Sequence, residues 1–326
     1  MKLGVVVLNW NGIEVTPRCL DSVLRSACPP DLIVLVDNAS TDGSADLVRN
    51  RYPQVVLIEN ETNLGFAEGN NVGIRYLLER GFDLVLLLNN DTVLDAQALC
   101  ELRRAANAQP AAAYGATIHE LAAPGRVWFA GGSLSRLTLE AKHAARLAAD
   151  RGAPQPTDFI TGCCLMFHSR ALRSIGLLDE AFFAYYEDVD WCLRAAAAGA
   201  RLLYVPAAVV HHEVSHSFRK GDGGGAAAAR YRWAQSSPLT LYLAYRNRLL
   251  LARKHARGRL HFVFLVTRRL LKGALHAVLL GLAGRARQAA AVIDGTMAGL
   301  RRRVPPVNVA RYTHAIASRN AAVSRN

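Results

Sequence analysis

The sequence predicts an α/β protein built on a doubly wound, mostly parallel sheet, and three observations carry that prediction. Four short apolar runs in the first hundred residues are continuous rather than alternating, each is followed by a longer segment of helical period, and polar residues gather just after each run. Continuous apolar strands are buried on both faces, and strand–helix alternation builds parallel pairs through helical crossovers.

The elements follow in order. LGVVVL (3–8) is the first strand and precedes a helix over 13–27; LIVLV (32–36) is the second and precedes a helix over 44–51. VVLI (55–58) and LVLLL (84–88) are the third and fourth, with helices over 67–80 and 95–108. From about 110 to 160 the text turns Ala-, Gly- and Pro-rich, with Ala130-Gly131-Gly132 and a basic segment at 142–151, and reads as a β-meander or a loop over the sheet edge. A helical segment WCLRAAAAG ends at Gly199, and the strand RLLYVP (201–206) leads to His211 and His212, with Glu213 and His216 beyond. GDGGGAAAA (221–229) is a low-complexity, flexible segment, after which the composition changes. These features divide the chain into a catalytic domain over 1–235, a basic amphipathic helical region over 236–303 and a patternless, disordered tail over 304–326. Within the first, residues up to about 110 form a nucleotide-binding half and about 111–235 an acceptor and catalytic half.

The net charge of +13 suggests nucleic acid until it is split at Gln235: the first 235 residues carry 22 basic and 25 acidic side chains, the last 91 carry 17 and 1. A nucleic-acid-binding reading therefore rests on the tail alone, and none is expected. The six cysteines form no C-x-x-C pair and no regular spacing, so reduced thiols in a cytosolic protein are expected, with neither a zinc site nor a disulfide framework. The apolar start is too short for a signal peptide, and no charge-free run approaches the roughly 20 residues of a membrane helix.

In doubly wound sheets ligands bind beyond the carboxyl ends of the strands. Here those ends carry Asn9-Trp10-Asn11-Gly12, then Asp37-Asn38 with the polar run to Ser44, then Asn63-Leu64-Gly65, then Asn89-Asn90-Asp91. Turn and cap chemistry accounts for Ser44 and extends to Asp42. It does not require an Asp at the end of two apolar strands, so Asp37 and Asp91 are functional candidates. A nicotinamide-dependent oxidoreductase would show G-x-G-x-x-G after the first strand, and this chain does not.

A second carboxylate cluster, Glu187, Asp188 and Asp190, follows FFAYY and lies between Tyr185, Tyr186 and Trp191. Acidic residues suit a first helical turn, which explains one or two of the three. An aromatic rim suits a sugar ring or a base, making Tyr186 and Trp191 candidates for acceptor contact, and partial enclosure raises a carboxylate toward a general base. Paired histidines at a strand end are candidates for a divalent ion.

The ordered motifs VVLNWNG (6–12), VDNASTDGS (36–44), NLGFAEGNNVGIR (63–75), LLLNNDTVL (86–94), LLDEAFFAYYEDVDWCLRA (177–195) and VPAAVVHH (205–212) resemble the inverting family-2 glycosyltransferases of GT-A fold, and within them the rhamnosyltransferase-like group of bacterial surface polysaccharide synthesis. The resemblance implies that Asp37 binds the donor base, that Asn63, Gly65 and Asn70 line the nucleotide, and that Asn9, Asn11, Asn38, Asn89 and Asn90 complete the donor site. It implies Asp91 and His212 as ligands of Mg2+ or Mn2+, with His211 in reserve, and Asp188 beside Glu187 as catalytic base. Asn89 stands where the family's D-x-D has its first Asp, leaving one carboxylate for the ion. The Q-x-x-R-W element of processive synthases is absent, implying one sugar added per acceptor. The implied donor is dTDP-rhamnose, the alternatives a UDP-hexose or UDP-galactofuranose. A non-catalytic glycan-binding module is the remaining reading, and retention of Asp91, Asp188 and the His pair speaks against it.

The segment 239–284 sets apolar clusters between Arg and Lys pairs, a pattern suited to an interfacial helix on anionic lipid. The expected acceptor is a lipid-linked glycan, and the expected place is the cytoplasmic leaflet of the plasma membrane, with the chain held there peripherally.

Overall fold

The computed structural model describes residues 1–145, 152–213, 236–301, 303 and 305–313. His216, the segment 221–229, the end of the basic segment from 146 and the tail from 314 lie outside the described residues. The chain divides into two compact units, Met1–Val214 and Ser215–Asn326.

The first unit begins as predicted, with β1 (Leu3–Asn9), α1 (Thr16–Leu24), β2 (Leu32–Asp37), α2 (Ser44–Arg51), β3 (Val56–Glu59), α3 (Gly65–Glu79), β4 (Leu84–Asn89) and, after a short β5 (Thr92–Leu94), α4 (Ala98–Ala108). Leu3, Val5, Val6 and Val7 are fully buried, so β1 is covered on both faces, as its unbroken apolar run requires. Each such side chain contributes about 2 kcal/mol of burial. β1 pairs in parallel with both β2 and β4, and β2 with β3, giving the order β3-β2-β1-β4.

The Gly-rich stretch is a set of short strands rather than one meander: β6 (Ala113–Glu120) pairs with β7 (Ala123–Phe129), β8 (Gly132–Ser135) pairs with β9 (Glu140–His143) as a separate two-stranded sheet, and β10 (Gln155–Pro156) pairs with the last strand of the main sheet. Next come β11 (Cys164–His168), α5 (Ser169–Ile175), α6 (Glu187–Ala197) and β12 (Leu202–His212). β11 inserts antiparallel between β4 and β6, and β12 runs parallel to β6 at its other side. The last strand passes through Pro206 with a shift of register between Val205 and Val209 and continues to His212, six residues beyond its expected end. Its extension pairs with β5, which places His212 opposite Thr92.

The expectation of reduced thiols is overturned at one pair. Cys28, after α1, is disulfide-bonded to Cys100 in α4 across 72 residues. Spacing could not show this, because the pair is brought together by packing of two elements distant in sequence. Cys19, Cys163, Cys164 and Cys192 are free and buried.

The second unit contains α7 (Pro238–His255), α8 (Arg259–Leu282), α9 (Ala286–Leu300) and the short α10 (Ala310–Thr313). α7 and α9 approach at backbone distance: a Cβ on Gly295 would lie 2.3 Å from the Tyr242 carbonyl oxygen. Leu241, Leu243, Leu249 and Leu251 of α7 are buried. The apolar clusters of 239–284 thus divide between a helix of the unit's core and α8, whose apolar residues are largely exposed. Among the described residues no helix is long and apolar enough to cross a membrane.

Candidate active site

The strand order reverses at β1, since the chain proceeds outward to β3 and then returns to place β4 on the other side. A crevice opens at the carboxyl ends of such strands. Register aligns Asn9 with Asp37, and Leu8 with Asn89, at that edge. Because β11 is antiparallel, its beginning lies at the same edge, where Cys164 pairs with Leu88. β12 is parallel to β6 and ends there too.

Asn9 is the knot of this edge. It is fully buried, and its amide N–H groups reach Asp37 Oδ1 at 2.7 Å, Ser44 Oγ at 2.8 Å and Ser40 Oγ at 3.1 Å. Its carbonyl oxygen accepts from Thr16 Oγ1 at 2.7 Å and Asn90 Nδ2 at 3.0 Å. A group so enclosed has no edge left for a donor, which corrects its expected contact role: Asn9 ties three strand ends together. Asp37, 2% exposed, accepts from the Ser40 N–H at 2.8 Å and the Ser40 hydroxyl at 2.7 Å, which fixes the loop that follows β2. Exposed Asn11 accepts from the Thr41 N–H at 2.8 Å and joins the first loop to the second.

Asn38 and Asn70 are likewise buried. Asn38 donates to the Gly65 carbonyl at 2.9 Å, Asn63 Oδ1 accepts from the Gly65 N–H at 2.8 Å, and Asn70 donates to the Phe66 carbonyl at 2.8 Å. These bonds shape the start of α3. Gly65 has φ +81°, and a Cβ there would stand 2.6 Å from the Phe183 carbonyl oxygen. That carbonyl accepts from the N–H groups of Phe66 at 2.5 Å and Ala67 at 3.0 Å, so the first turn of α3 grips the loop before α6.

The gripped loop is strained. Phe183 sits at φ 64° and ψ −65°, in a γ-turn closed by the Ala184 N–H on the Phe182 carbonyl at 2.7 Å, and Tyr185 and Tyr186 also have positive φ. This contorted path delivers Glu187 and Asp188 into the first turn of α6, four residues earlier than the helix the sequence suggested. Asp188 is half-buried and accepts from Gly162 N–H at 3.0 Å and from Val189 N–H at 2.7 Å. Burial raises its pKa while both N–H groups oppose the rise. Glu187 is 5% exposed, and its Oε2 has no hydrogen-bond partner. Burial, then the neighbouring Asp188 charge, pushes Glu187 well above the ordinary carboxylate range.

The third carboxylate, Asp190, and the neighbouring Trp191 are structural. Asp190, fully buried, binds Arg194 Nε at 2.8 Å, and Arg194 donates onward to the carbonyls of Ile175 and Leu177 at 2.8 and 2.7 Å. Trp191 has no exposed surface, packs edge-on against Phe167 at 4.6 Å between ring centroids and donates Nε1–H to the Gly176 carbonyl at 2.8 Å. It packs on Phe167 of β11 with no surface left for a ligand, so its expected acceptor contact is corrected to a core role. Tyr186, partly exposed at the start of α6, remains at the surface.

Strand alternation separates the two histidines of β12. His211 Nε2 lies 3.0 Å from Asp95 Oδ1, whereas His212 Nε2 lies 3.2 Å from Asp91 Oδ1. Asp91 Oδ1 and His212 Nδ1 are buried with no hydrogen-bond partner. Two neighbouring ligands on an octahedral ion with bonds of about 2.1 Å stand about 3 Å apart. The orphaned oxygen beside an imidazole nitrogen therefore fits Mg2+ or Mn2+, with a diphosphate to complete the shell. Among the described residues no group of three or more His, Cys, Asp or Glu is arranged to hold a metal ion, so the pair would need that external ligand. Burial lifts the Cys19 thiol to about 12 and Cys163 well above its usual value, with the Asp91 charge adding to both. The Asn89 N–H donates to the Cys163 carbonyl at 3.0 Å. Asn90 donates to Asn9 and, at 3.0 Å, to Thr16 Oγ1.

Sequence reasoning missed the dipeptide that joins the halves. Gly162 N–H holds Asp188 and the next carbonyl, of Cys163, holds the strand end before Asp91. Backbone groups leave no signal in residue types. It also missed Trp128 in β7, whose ring stands edge-on 5.0 Å from His212 and 4.6 Å from His143. His143 is driven toward its neutral form by burial.

A doubly wound, mostly parallel sheet that gathers Asp91 with His212 and Asp188 with Glu187 at one strand-end edge is the arrangement of a GT-A-fold glycosyltransferase. The chain belongs to the glycosyltransferase like family 2, whose sequence model matches residues 2–236. It is similar to the N-acetylglucosaminyl-diphospho-decaprenol L-rhamnosyltransferase of Mycobacterium tuberculosis, 29% identical over 66% of this chain and 77% of that one. It is also similar to the undecaprenyl-phosphate mannosyltransferase of Micrococcus luteus, 26% identical over 72% and 94%. Among solved structures, the mannosyltransferase PcManGT from Pyrobaculum calidifontis in complex with GDP-Man and Mn2+ shares the fold with a TM-score of 0.51 at 19% identity, over 92% of this chain and 87% of that one. TarS residues 1–349 of S. aureus in complex with UDP-GlcNAc give 0.52 at 16%, over 93% and 83%.

Proposed function

We propose that this glycosyltransferase moves one L-rhamnosyl residue from dTDP-rhamnose to a hydroxyl of a lipid-linked glycan, with inversion, in bacterial cell-surface glycan synthesis. The observation that carries the mechanism is the Gly162-Cys163 dipeptide, which ties Asp188 on one side to the Asn89–Asp91 strand end on the other. The rhamnosyl donor and the lipid-linked acceptor rest on the similarity to the mycobacterial rhamnosyltransferase.

Asp91 and His212 would hold Mg2+ or Mn2+, which when bound supplies positive charge to the donor diphosphate. Asn11, Asn63, Asn89 and Asn90, the partly exposed or exposed amides of the strand ends, line the nucleotide sugar. Asp37 acts on the donor base through the loop it fixes. Asp188 accepts the proton of the acceptor hydroxyl, because its paired N–H bonds favour the ionised form while protonated Glu187 withholds a second negative charge. Tyr186 borders the acceptor. Attack on the anomeric carbon from the face opposite the diphosphate gives inversion in one displacement. A lipid-borne acceptor sets the reaction at the cytoplasmic face of a membrane.

Calorimetric titration with a panel of nucleotide sugars, with and without Mn2+, tests the reading. dTDP-rhamnose is expected to bind only with the ion, and Asp91→Ala to abolish that binding with the fold intact. Asp188→Asn is expected to keep donor binding and lose turnover by about 10²–10⁴-fold. Full turnover in Asp188→Asn, or no donor bound at all, overturns the mechanism; a preference for a UDP-sugar replaces only the donor.

A further inference from the structure

We propose that α8 lies flat in the surface of an anionic lipid bilayer, its outer row among the acyl chains and Arg268 and Lys272 at the phosphodiester headgroups. The inference deepens the reading of a lipid-borne acceptor and rests on that reading for its purpose, but its physical argument is separate.

α8 packs through one narrow stripe, Leu265, Arg269, Gly273, Ala277 and Leu280. The opposite stripe, at spacings of three, four and seven, is apolar and open: Leu260 is 89% exposed, Phe264 44%, Leu271 69%, Leu275 62%, Val278 59% and Leu282 82%. Scattered exposed leucines are ordinary, but one helix face carrying six is a contiguous patch on the order of several hundred Å2, the size that marks an interaction site. The helix does not span a bilayer, since Arg268, Arg269 and Lys272 interrupt it and no window is apolar enough. An apolar face flanked by basic side chains instead suits the plane of the interface.

Charge selects lipid over a second copy of the chain. From residue 236 onward there are 17 basic side chains and one acidic, so an anionic surface is the complementary partner. Arg268 and Lys272 lie near the middle of α8, so a two-fold pairing of this face would bring like charges together. Those two residues stand beside Phe264 and Leu271 on the same helix, so cationic and apolar groups lie side by side, as a phosphodiester with its acyl chains requires.

Flotation of the full chain with phosphatidylglycerol vesicles, and separately with phosphatidylcholine vesicles, tests the proposal. Binding is expected on the anionic vesicles and is expected to weaken as salt rises, because headgroup attraction is screened. Leu271→Ser with Leu275→Ser should lower vesicle affinity more than about tenfold, as two exposed side chains lose transfer into lipid. Arg268→Glu with Lys272→Glu should remove the preference for anionic vesicles. Circular dichroism and donor titration in vesicle-free buffer should be unchanged in both variants. The proposal is overturned if the chain floats with neither vesicle, if the serine variant floats like the parent, or if light scattering shows a dimer that the serine substitutions dissociate. Flotation without donor binding would sink the catalytic reading and leave this one standing.

Discussion

Glu187 shows how burial decides chemistry at one residue. Its folded-state pKa lies above its unfolded value, so the folded chain keeps a proton that the unfolded chain has released. The stability this contributes is complete below the ordinary glutamate range and is lost as pH rises toward the folded value. Glu187→Gln, which is neutral at every pH, should therefore gain on the parent as pH climbs above the ordinary glutamate range. Thermal unfolding of both proteins over that climb measures it, and a gap independent of pH would show that Glu187 is ionised. Asp188 is shifted in the same direction, and as the base of the proposed mechanism it must lose its proton, so the rate should rise with pH through a value above the usual aspartate range. At the proposed metal pair, His212 has no partner for Nδ1, the atom that a carboxylate often orients in metal sites. Trp128, edge-on against the ring, is what fixes its direction. Trp128→Ala should weaken Mn2+ binding about tenfold, read by titration of free Mn2+ signal in electron paramagnetic resonance, while Trp128→Phe should retain most of it.

Among elements, the grip of α3 on the loop before α6 links the start of α3 to the helix that carries Asp188. Gly65→Ala forces a side chain into positive φ and against the Phe183 carbonyl, and should cost about 2–3 kcal/mol and slow turnover. Gly81→Ala provides the comparison: φ is +71° with open space around it, so a cost of about 1 kcal/mol without loss of turnover is expected. Denaturant unfolding and steady-state rates separate the two. This scale also shows what a sequence can convey. β1 to β4 and the helices between them were legible to within about three residues at most ends, because an apolar run buried on both faces leaves a signal no surface segment mimics. The start of α6 was not legible: Tyr185 and Tyr186 at positive φ are imposed by tertiary contacts, not by their own preferences. Trp191 misled for a related reason, since an aromatic beside carboxylates reads as a rim until the helix phase is known. Asp91 and His212 lay in separate motifs, and only the pairing of β5 with the extension of β12 brings them together.

Across the whole molecule, chemistry and charge are assigned to different units: the strand-end site lies wholly within Met1–Val214, while the excess of basic residues lies from 236 onward. One covalent feature belongs to the first unit alone. The Cys28–Cys100 bond closes a loop of 72 residues that contains β2, β3, β4 and the donor-side loops between them. In the chain-entropy account a loop of that length removes about 4 kcal/mol of freedom from the unfolded state, and measured values run from about 2 to 5. Two compact units are expected to give two calorimetric transitions, and only one of them should respond to reductant. Scanning calorimetry of the oxidised full chain, with and without dithiothreitol, should lower the transition of the first unit and leave the other in place. Cys28→Ser should reproduce the lowered transition and make it insensitive to reductant. If reductant moves both transitions together, the units unfold as one, and the cross-link stabilises the molecule as a whole rather than the sheet that carries the site.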